Sequence, residues 1–290
     1  MTGAGGHATG PRPWEYSAFR VSVSATQRLS PGFIRVTLAG EDLRHFATWG
    51  LDQRIKLVLP MPDGSRPDFG LLDEPTPHPR DWYARWKALP IGERNVLRTY
   101  TPAGIRPDRG EIDVDLFIHE PAGPASAWAL SCRVGDELVV TGPDSRVGRT
   151  GYGIHYTPPE PPSAVLLVGD ESALPAIANI LTGLAPGTPA DVLLELADPA
   201  DDTLSGRVAP VRPQIVARTG AAGDALERAV HGWGERDGDT AATDPGLYAW
   251  IAGEAAATIR IRRHLTATLG IPKERVAFLG YWKLGGPLVE

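Results

Sequence analysis

The sequence predicts two lobes in series: a small antiparallel Greek-key β-barrel, then an open α/β sheet of parallel strands. Two observations predict this. Between residues 19 and 140, short stretches alternate polar with apolar residues, the period of half-buried strands, and turn residues separate them. From Ser163 onward, unbroken apolar runs alternate with helical segments, as parallel strands buried on both faces require. A chain of 290 residues accommodates two such lobes. The expected division is a disordered tail over 1–14, a barrel domain over 15–145, a linker over 146–162 and an α/β domain over 163–290.

In order, the first barrel strand is Phe19 to Ala25, and the turn Ser30-Pro31-Gly32 leads to its partner, Phe33 to Leu38. A third strand, Asp52 to Pro60, ends at proline, which cannot donate to a ladder. The proline-rich stretch 61–80 reads as a long loop, and Trp82, Tyr83 and Trp86 as the aromatic face of a short helix. Strands around Arg98–Thr101 and over Glu111–His119 follow, then a helix over 124–131 and a strand over Glu137–Val140. In the second half, strands are expected at 164–170, 192–198, 214–218, 247–254 and 275–282. Helices are expected from Glu171 to about Leu184, from Gly223 to Trp233 and from Ala255 to Leu269, with a charged, glycine-rich loop over 234–245.

Composition narrows the function. A net charge of −6 argues against bulk nucleic-acid binding, which runs on clustered Lys and Arg. The single cysteine, Cys132, makes no internal disulfide and holds no iron–sulfur cluster or thiolate zinc, so no metal site is expected. Its place after an apolar helix makes it a small buried hydrophobe. The glycine-rich start lacks the apolar segment of a signal peptide, and no run approaches a membrane span. A cytoplasmic protein without membrane or nucleic-acid partners is expected.

The informative stretch is 98–143. Arg98-Thr99-Tyr100-Thr101 puts an arginine and an aromatic on one strand. Then Gly123-Pro124-Ala125-Ser126 opens a short helix, with proline where a missing N–H costs nothing. The first N–H groups of a helix have no internal partner and point at any anion placed there. An arginine, a tyrosine and a phosphate cradle point to a flat phosphorylated cofactor such as a flavin nucleotide. In the second lobe, ligands of such a sheet bind at the carboxyl ends of the strands. Those ends are Asp170-Glu171-Ser172, Ala197-Asp198, Ala252-Gly253-Glu254 and Gly280-Tyr281-Trp282. No Gly-x-Gly-x-x-Gly follows the first strand of this sheet. Asp198, ending the second strand, favours NADH over NADPH, with Arg207, Arg212 and Arg218 as counterweights.

These residues resemble the siderophore-interacting proteins, the FAD-dependent ferric-siderophore reductases of the ferredoxin-reductase superfamily. The Arg-x-Tyr-Thr element matches at Arg98, Tyr100 and Thr101. The His with Gly-Pro-Ala-Ser and Trp-Ala matches at His119, Gly123–Ser126, Trp128 and Ala129. In the second lobe the match runs through Gly169–Ile177, through Ala252-Gly253-Glu254 with Arg260, Arg262 and Arg263, and through Gly280-Tyr281-Trp282-Lys283-Leu284-Gly285. The family's second arginine, two positions after the threonine, is Ala103 here, and Arg106 is the nearest replacement.

The resemblance implies a ferredoxin-reductase-like fold, an antiparallel Greek-key β-barrel plus a Rossmann-like α/β parallel sheet. It implies FAD as cofactor, NADH or NADPH as electron donor with a ferredoxin as alternative, a ferric siderophore as substrate, and a monomer. It assigns Arg98, Thr99, Tyr100, Thr101, His119, Gly123, Ala125, Ser126, Asp170, Glu171, Ser172 and Trp282 to the cofactor. It assigns Lys56, Arg146 and Lys283 to the siderophore, and no side chain to acid–base catalysis. Arg260, Arg262 and Arg263 read as a solvated helix face pairing with carboxylates. Two other readings stay open: a flavin reductase with another acceptor, such as free flavin or a quinone, and a binding module that has lost its flavin.

Overall fold

The structure is a computed structural model that describes residues 14–205, 207–208 and 211–285. The tail expected over 1–14 lies outside the described residues except for Trp14.

The first sheet holds β1 (Tyr16–Arg28), β2 (Phe33–Ala39), β3 (Ile55–Val58), β4 (Leu97–Tyr100), β5 (Pro102–Arg106), β6 (Glu111–Phe117) and β7 (Glu137–Pro143). Its order is β4-β3-β7-β1-β2-β6-β5, and every pairing is antiparallel. The two edge strands, β4 and β5, are neighbours in sequence and meet at Thr101. Alternation sends Phe19, Val21, Val36, Leu57, Val114 and Val140 into one core. Helix α2 (Pro124–Ser131) closes that core with Ala125 and Ala129, and Cys132 packs beside them. The excursion between β3 and β4 carries α1 (Pro79–Ala88), whose Trp82 and Trp86 pack with Phe69 and Leu71 on the outer face of the sheet.

The second sheet is parallel, in the order β10-β9-β8-β11-β12. Its strands are β8 (Ala164–Asp170), β9 (Ala190–Leu196), β10 (Gln214–Ala217), β11 (Leu247–Glu254) and β12 (Val276–Trp282). Along β8, Val165 and Leu167 face α3 (Leu174–Gly183), while Leu166 and Val168 face α4 (Asp224–Thr243) and α5 (Ala255–Arg263). This explains the unbroken apolar run: both faces are covered.

Helix α4 corrects the expected ending at Trp233, because it continues to Thr243. The glycines that read as loop residues are packing positions. A Cβ on Gly234 would stand 2.9 Å from Leu269, and one on Gly238 would stand 3.1 Å from it. Strand β6 stops at Phe117, so His119 lies beyond the strand in which it was expected. The expected last helix becomes a π-helical turn over His264–Thr268.

The lobes share a seam. Phe33 and Phe117 of the barrel belong to the same apolar cluster as α3 and Trp250. Asn179 of α3 donates its side-chain amide to the carbonyls of Leu51 (3.1 Å) and Pro102 (2.9 Å). Asp52 is the hub. Its carboxylate accepts from the backbone amides of His155 and Tyr156, at 3.1–3.2 Å, and from Trp250 Nε1 at 3.0 Å. Buried to 2% exposure, it ties barrel, linker and β11 together. Asp201 makes a second tie, accepting from Gly32 N at 2.6 Å and Ser30 Oγ at 2.7 Å.

Candidate functional site

The barrel half of the site lies at the open edge between β4 and β5. Register places Tyr100 opposite Ile55 and Arg98 opposite Leu57. Opposed residues share a face, so Arg98 and Tyr100 sit on the side of Ile55 and Leu57. Burial pushes the Tyr100 hydroxyl up to about 12, so it stays protonated and neutral. Thr99 faces the other way, with Lys56, whose Nζ donates to Thr99 Oγ1 at 3.2 Å. Thr101 is buried, with the Tyr281 hydroxyl of β12 as its neighbour.

Helix α2 offers a candidate anion site. Gly123 precedes its first turn and no side chain caps it. A Cβ on Gly123 would meet His119 Cε1 at 3.0 Å, so glycine is what lets this ring approach. His119 Nδ1–H donates to the Pro121 carbonyl at 2.8 Å, which leaves Nε2 at the rim. Ala125 and Ser126 are buried, and Ser126 Oγ donates back to the Phe117 carbonyl at 3.3 Å. Eight residues long, with an uncapped start, α2 fits a phosphate of FAD.

The helix starts of the second lobe have carboxylates close by. Asp170 caps the turn before α3, accepting from Ser172 N at 2.9 Å. Glu195, at the end of β9, accepts from Gly223 N at 2.6 Å at the head of α4. Glu254 accepts from Ala257 N at 2.8 Å at the head of α5. Only Glu254 caps a helix proper: Asp170 caps the short turn ahead of α3, Glu195 takes the amide of the residue that precedes α4, and α3 and α4 themselves carry no side-chain cap.

Asp170, Glu171 and Glu195 crowd together around one cation. Arg218 bridges Glu171 and lies 3.6 Å from Glu195. Burial raises the pKa of all three carboxyls, and Asp170 pushes Glu171 further up. Glu171 also accepts from Ala197 N. Asp170 accepts from Trp282 Nε1 at 2.8 Å and so fixes the indole at the end of β12. Gly253, at φ +153°, makes room for that carboxylate, because a Cβ there would stand 2.6 Å from Asp170 Oδ2.

The structure therefore gathers Arg98, Tyr100 and Thr101 at one edge, His119, Gly123, Ala125 and Ser126 at α2, and Asp170, Glu171, Ser172 and Trp282 at the strand ends. It separates the three basic residues expected at the substrate. Lys56 is half-buried on the outer face of β3, and Lys283 is exposed just after β12. Arg146 is committed elsewhere: its Nη2 and Nε grip the fully buried Asp144 at 2.7 and 3.0 Å. Arg106 does not replace the absent arginine, because its guanidinium grips Asp113 at 2.7 and 2.8 Å and Glu111 at 3.0 Å. The guanidinium at Ala103 comes from the other lobe. Arg207 Nη2 donates to the Ala103 carbonyl at 2.9 Å while Nη1 lies 3.3 Å from Asp115. Asp198 spends its carboxylate on Ala200 N at 2.9 Å. Arg260 pairs with Glu227 and Asp224, as a helix face should. Sequence reasoning missed Asp52 and Glu195 and gave Arg207 another role, as a counterweight to Asp198, because a buried carboxylate or a cross-lobe arginine has no local pattern. It named Tyr281 as part of a strand end without giving it a role.

Among the described residues, no three His, Cys, Asp or Glu side chains gather as a metal site. Nor, among the described residues, is any helix long and apolar enough to cross a membrane.

An antiparallel barrel set against the strand ends of a parallel sheet is the two-lobed ferredoxin-reductase-like fold. Comparison with known proteins places the chain within that class. Residues 22–147 match the siderophore-interacting FAD-binding domain and residues 162–285 match the siderophore-interacting protein domain. The chain belongs to the siderophore-interacting protein family.

It is 28% identical over 265 residues to the NADPH-dependent ferric-chelate reductase of Escherichia coli, covering 90% of this chain and 91% of that one. It is 30% identical over 217 residues to the mycobactin import ATP-binding/permease protein IrtA of Mycolicibacterium smegmatis, covering 74% of this chain. The chain spans only about a quarter of the length of such importers, 23% in that case. A siderophore utilization protein from T. fusca shares the fold with a TM-score of 0.74 at 22% identity, over 96% of this chain and 97% of the other.

Proposed function

We propose that this chain is an FAD-dependent reductase that takes electrons from NADH or NADPH and reduces ferric siderophores to release iron(II). The observation that carries the reading is the open start of α2. It lies within the matched FAD-binding domain, no side chain caps it, and Gly123 lets the His119 ring stand beside it.

Iron(III) holds hard oxygen ligands tightly and iron(II) holds them weakly, so adding one electron loosens the chelate. Bound FAD supplies the conversion of a hydride's electron pair into single electrons. The protein's residues bind and aim. The α2 amides of Ala125 and Ser126 and the His119 ring take the phosphate end. Tyr100, neutral at any physiological pH, packs against the flat ring, and Arg98 and Thr101 hold its polar edge. Asp170 keeps Trp282 at the rim through the indole N–H and thereby shapes the opening on the second-lobe side. Lys283, exposed just after β12, meets the ferric chelate, while Lys56 lies on the outer face of β3 away from Arg98 and Tyr100 and Arg146 contributes through the fold of its loop rather than by contact.

The protein acts as a monomer in the cytoplasm in this reading, and a ferredoxin is the alternative donor. An anaerobic assay tests it. The purified protein is scanned for a flavin spectrum, then given NADH or NADPH, a ferric siderophore and an iron(II) trap. Flavin bleaching followed by trapped iron(II) is expected. A protein that neither carries nor takes up flavin refutes the reading. Bound flavin that ignores both nucleotides yet reduces iron after chemical reduction moves the donor to a ferredoxin.

A further inference from the structure

Thr101, Pro102 and Ala103 form the corner where β4 passes into β5, and all three are buried. The backbone of this corner is poorly served by its own sheet. Pro102 has no N–H to give to a ladder. The register of β5 on β6 jumps between Pro102 and Gly104, so Ala103 is the extra residue of a bulge. A bulge leaves its extra residue outside the ladder, and a buried carbonyl needs a partner from somewhere.

The partners come from the second lobe, each from a different element. Asn179 of α3 donates its side-chain amide to the Pro102 carbonyl at 2.9 Å, with the Leu51 carbonyl at 3.1 Å as second acceptor. Arg207, in the connection between β9 and β10, donates from Nη2 to the Ala103 carbonyl at 2.9 Å. Asp115 lies 3.3 Å from Nη1 of the same guanidinium and so fixes its orientation. The Tyr281 hydroxyl, near the end of β12, adjoins Thr101, and the Tyr281 ring is met edge-on by Trp250 at 6.2 Å. Three consecutive barrel residues are thus held by three separate elements of the other lobe. The tie made by Asp201 is of another kind, because it reaches Gly32 and Ser30 in the turn between β1 and β2.

Tyr100 immediately precedes the corner, and Arg98 shares its face. Consecutive Cα atoms are only about 3.8 Å apart, so a shift of the corner carries the Tyr100 ring with it.

We propose that Asn179 and Arg207 are positioning residues: from the second lobe they fix the Thr101–Ala103 corner and, through it, the place of Tyr100 and of the flavin relative to the electron donor. This rests on the reductase reading above. The lobe that receives the donor holds the edge against which the flavin packs, so the distance between the two is set by bonds across the seam.

Four variants test it. Asn179→Ala and Arg207→Met each remove a donor from the corner, Arg207→Lys keeps one, and Asp201→Asn weakens a seam tie elsewhere. They are compared with the wild-type protein at a temperature below every melting transition. Visible circular dichroism reads the setting of bound FAD, stopped-flow bleaching by NADH or NADPH reads electron delivery, and hydrogen exchange reads the amides of residues 98–106 with and without FAD. Asn179→Ala and Arg207→Met should change the flavin dichroism and speed exchange over 98–106. They should slow bleaching by about ten- to a hundredfold, the scale of a misplacement of about 1 Å, with the affinity for the donor little changed. Arg207→Lys should restore all three signals. Asp201→Asn should lower the melting temperature and leave dichroism and bleaching at their wild-type values.

Equal slowing by Asp201→Asn and by the corner variants overturns the proposal, because any weakened seam would then do the same. Flavin uptake and bleaching that are normal in both corner variants refute the positioning role and keep the reductase. A wild-type protein that takes up no flavin refutes the reductase. Faster exchange over 98–106 in both corner variants then keeps the clamp on the corner, and exchange indifferent to Asn179 and Arg207 refutes that as well.

Discussion

Replacing Asp52 with asparagine should destabilise the protein by about 3 kcal/mol, and the number follows from three bonds. The Asp52 carboxylate accepts from two backbone amides at 3.1–3.2 Å and from the Trp250 indole at 3.0 Å. Bonds to a charged acceptor contribute about 1.5–3 kcal/mol each and neutral ones about 0.5–1.5, so losing the charge costs about 1 kcal/mol per bond. Asparagine also turns one oxygen into a donor facing donors, in a site with 2% exposure and no room for water to intervene. At about 2–4 °C per kcal/mol for a chain of this size, the melting temperature should fall by about 6–12 °C. Trp250→Phe removes one of the three bonds and should cost about a third as much. Thermal unfolding followed by calorimetry reads both. A change below about 2 °C for Asp52→Asn, or equal losses for the two variants, refutes the claim that this carboxylate organises the seam.

Three further outcomes are expected. Glu195→Gln should stabilise the protein at pH 8 by about 1–2 kcal/mol and do nothing near pH 4. Burial raises the Glu195 pKa in the folded state, so the folded chain holds the proton more tightly than the unfolded chain. The stability this contributes is complete below the ordinary glutamate value and is lost as pH rises through the folded value, a loss a neutral amide avoids. Melting temperatures across that range check it. Arg146→Ala should cost about 2 kcal/mol by stranding the buried Asp144, a figure reduced because the guanidinium is 46% exposed, and should leave the KM for a ferric chelate nearly unchanged. Gly123→Val should abolish FAD retention, read by the absorbance of the purified protein, with little change in far-ultraviolet circular dichroism, because its side chain fills the space between His119 and the head of α2.

Both lobes were legible because each follows a period. Phe19, Val21 and Val23 alternate into the barrel core, and the run from Val165 to Val168 is apolar because α3 covers one face and α4 and α5 the other. What failed was local composition standing in for packing. Gly234 and Gly238 looked like breakers and proved to be the places where α4 passes closest to Leu269. The site divided along the same line. Arg98, Tyr100 and Gly123–Ser126 were readable because their chemistry sits within short segments. The commitment of Arg146 to Asp144 and of Arg106 to Asp113 was not, because an arginine free to meet a ligand and one gripping a buried carboxylate look alike in sequence. The approach of Arg207 to Ala103 spans 104 positions and crosses the seam.

The Glu254 cap on α5 has a consequence for what the end of β11 can hold. Open helix N-termini draw anions, and Glu254 closes this one by taking the Ala257 amide at 2.8 Å, whereas α3 and α4 carry no side-chain cap. An anionic ligand at these strand ends is thereby turned away from the head of α5.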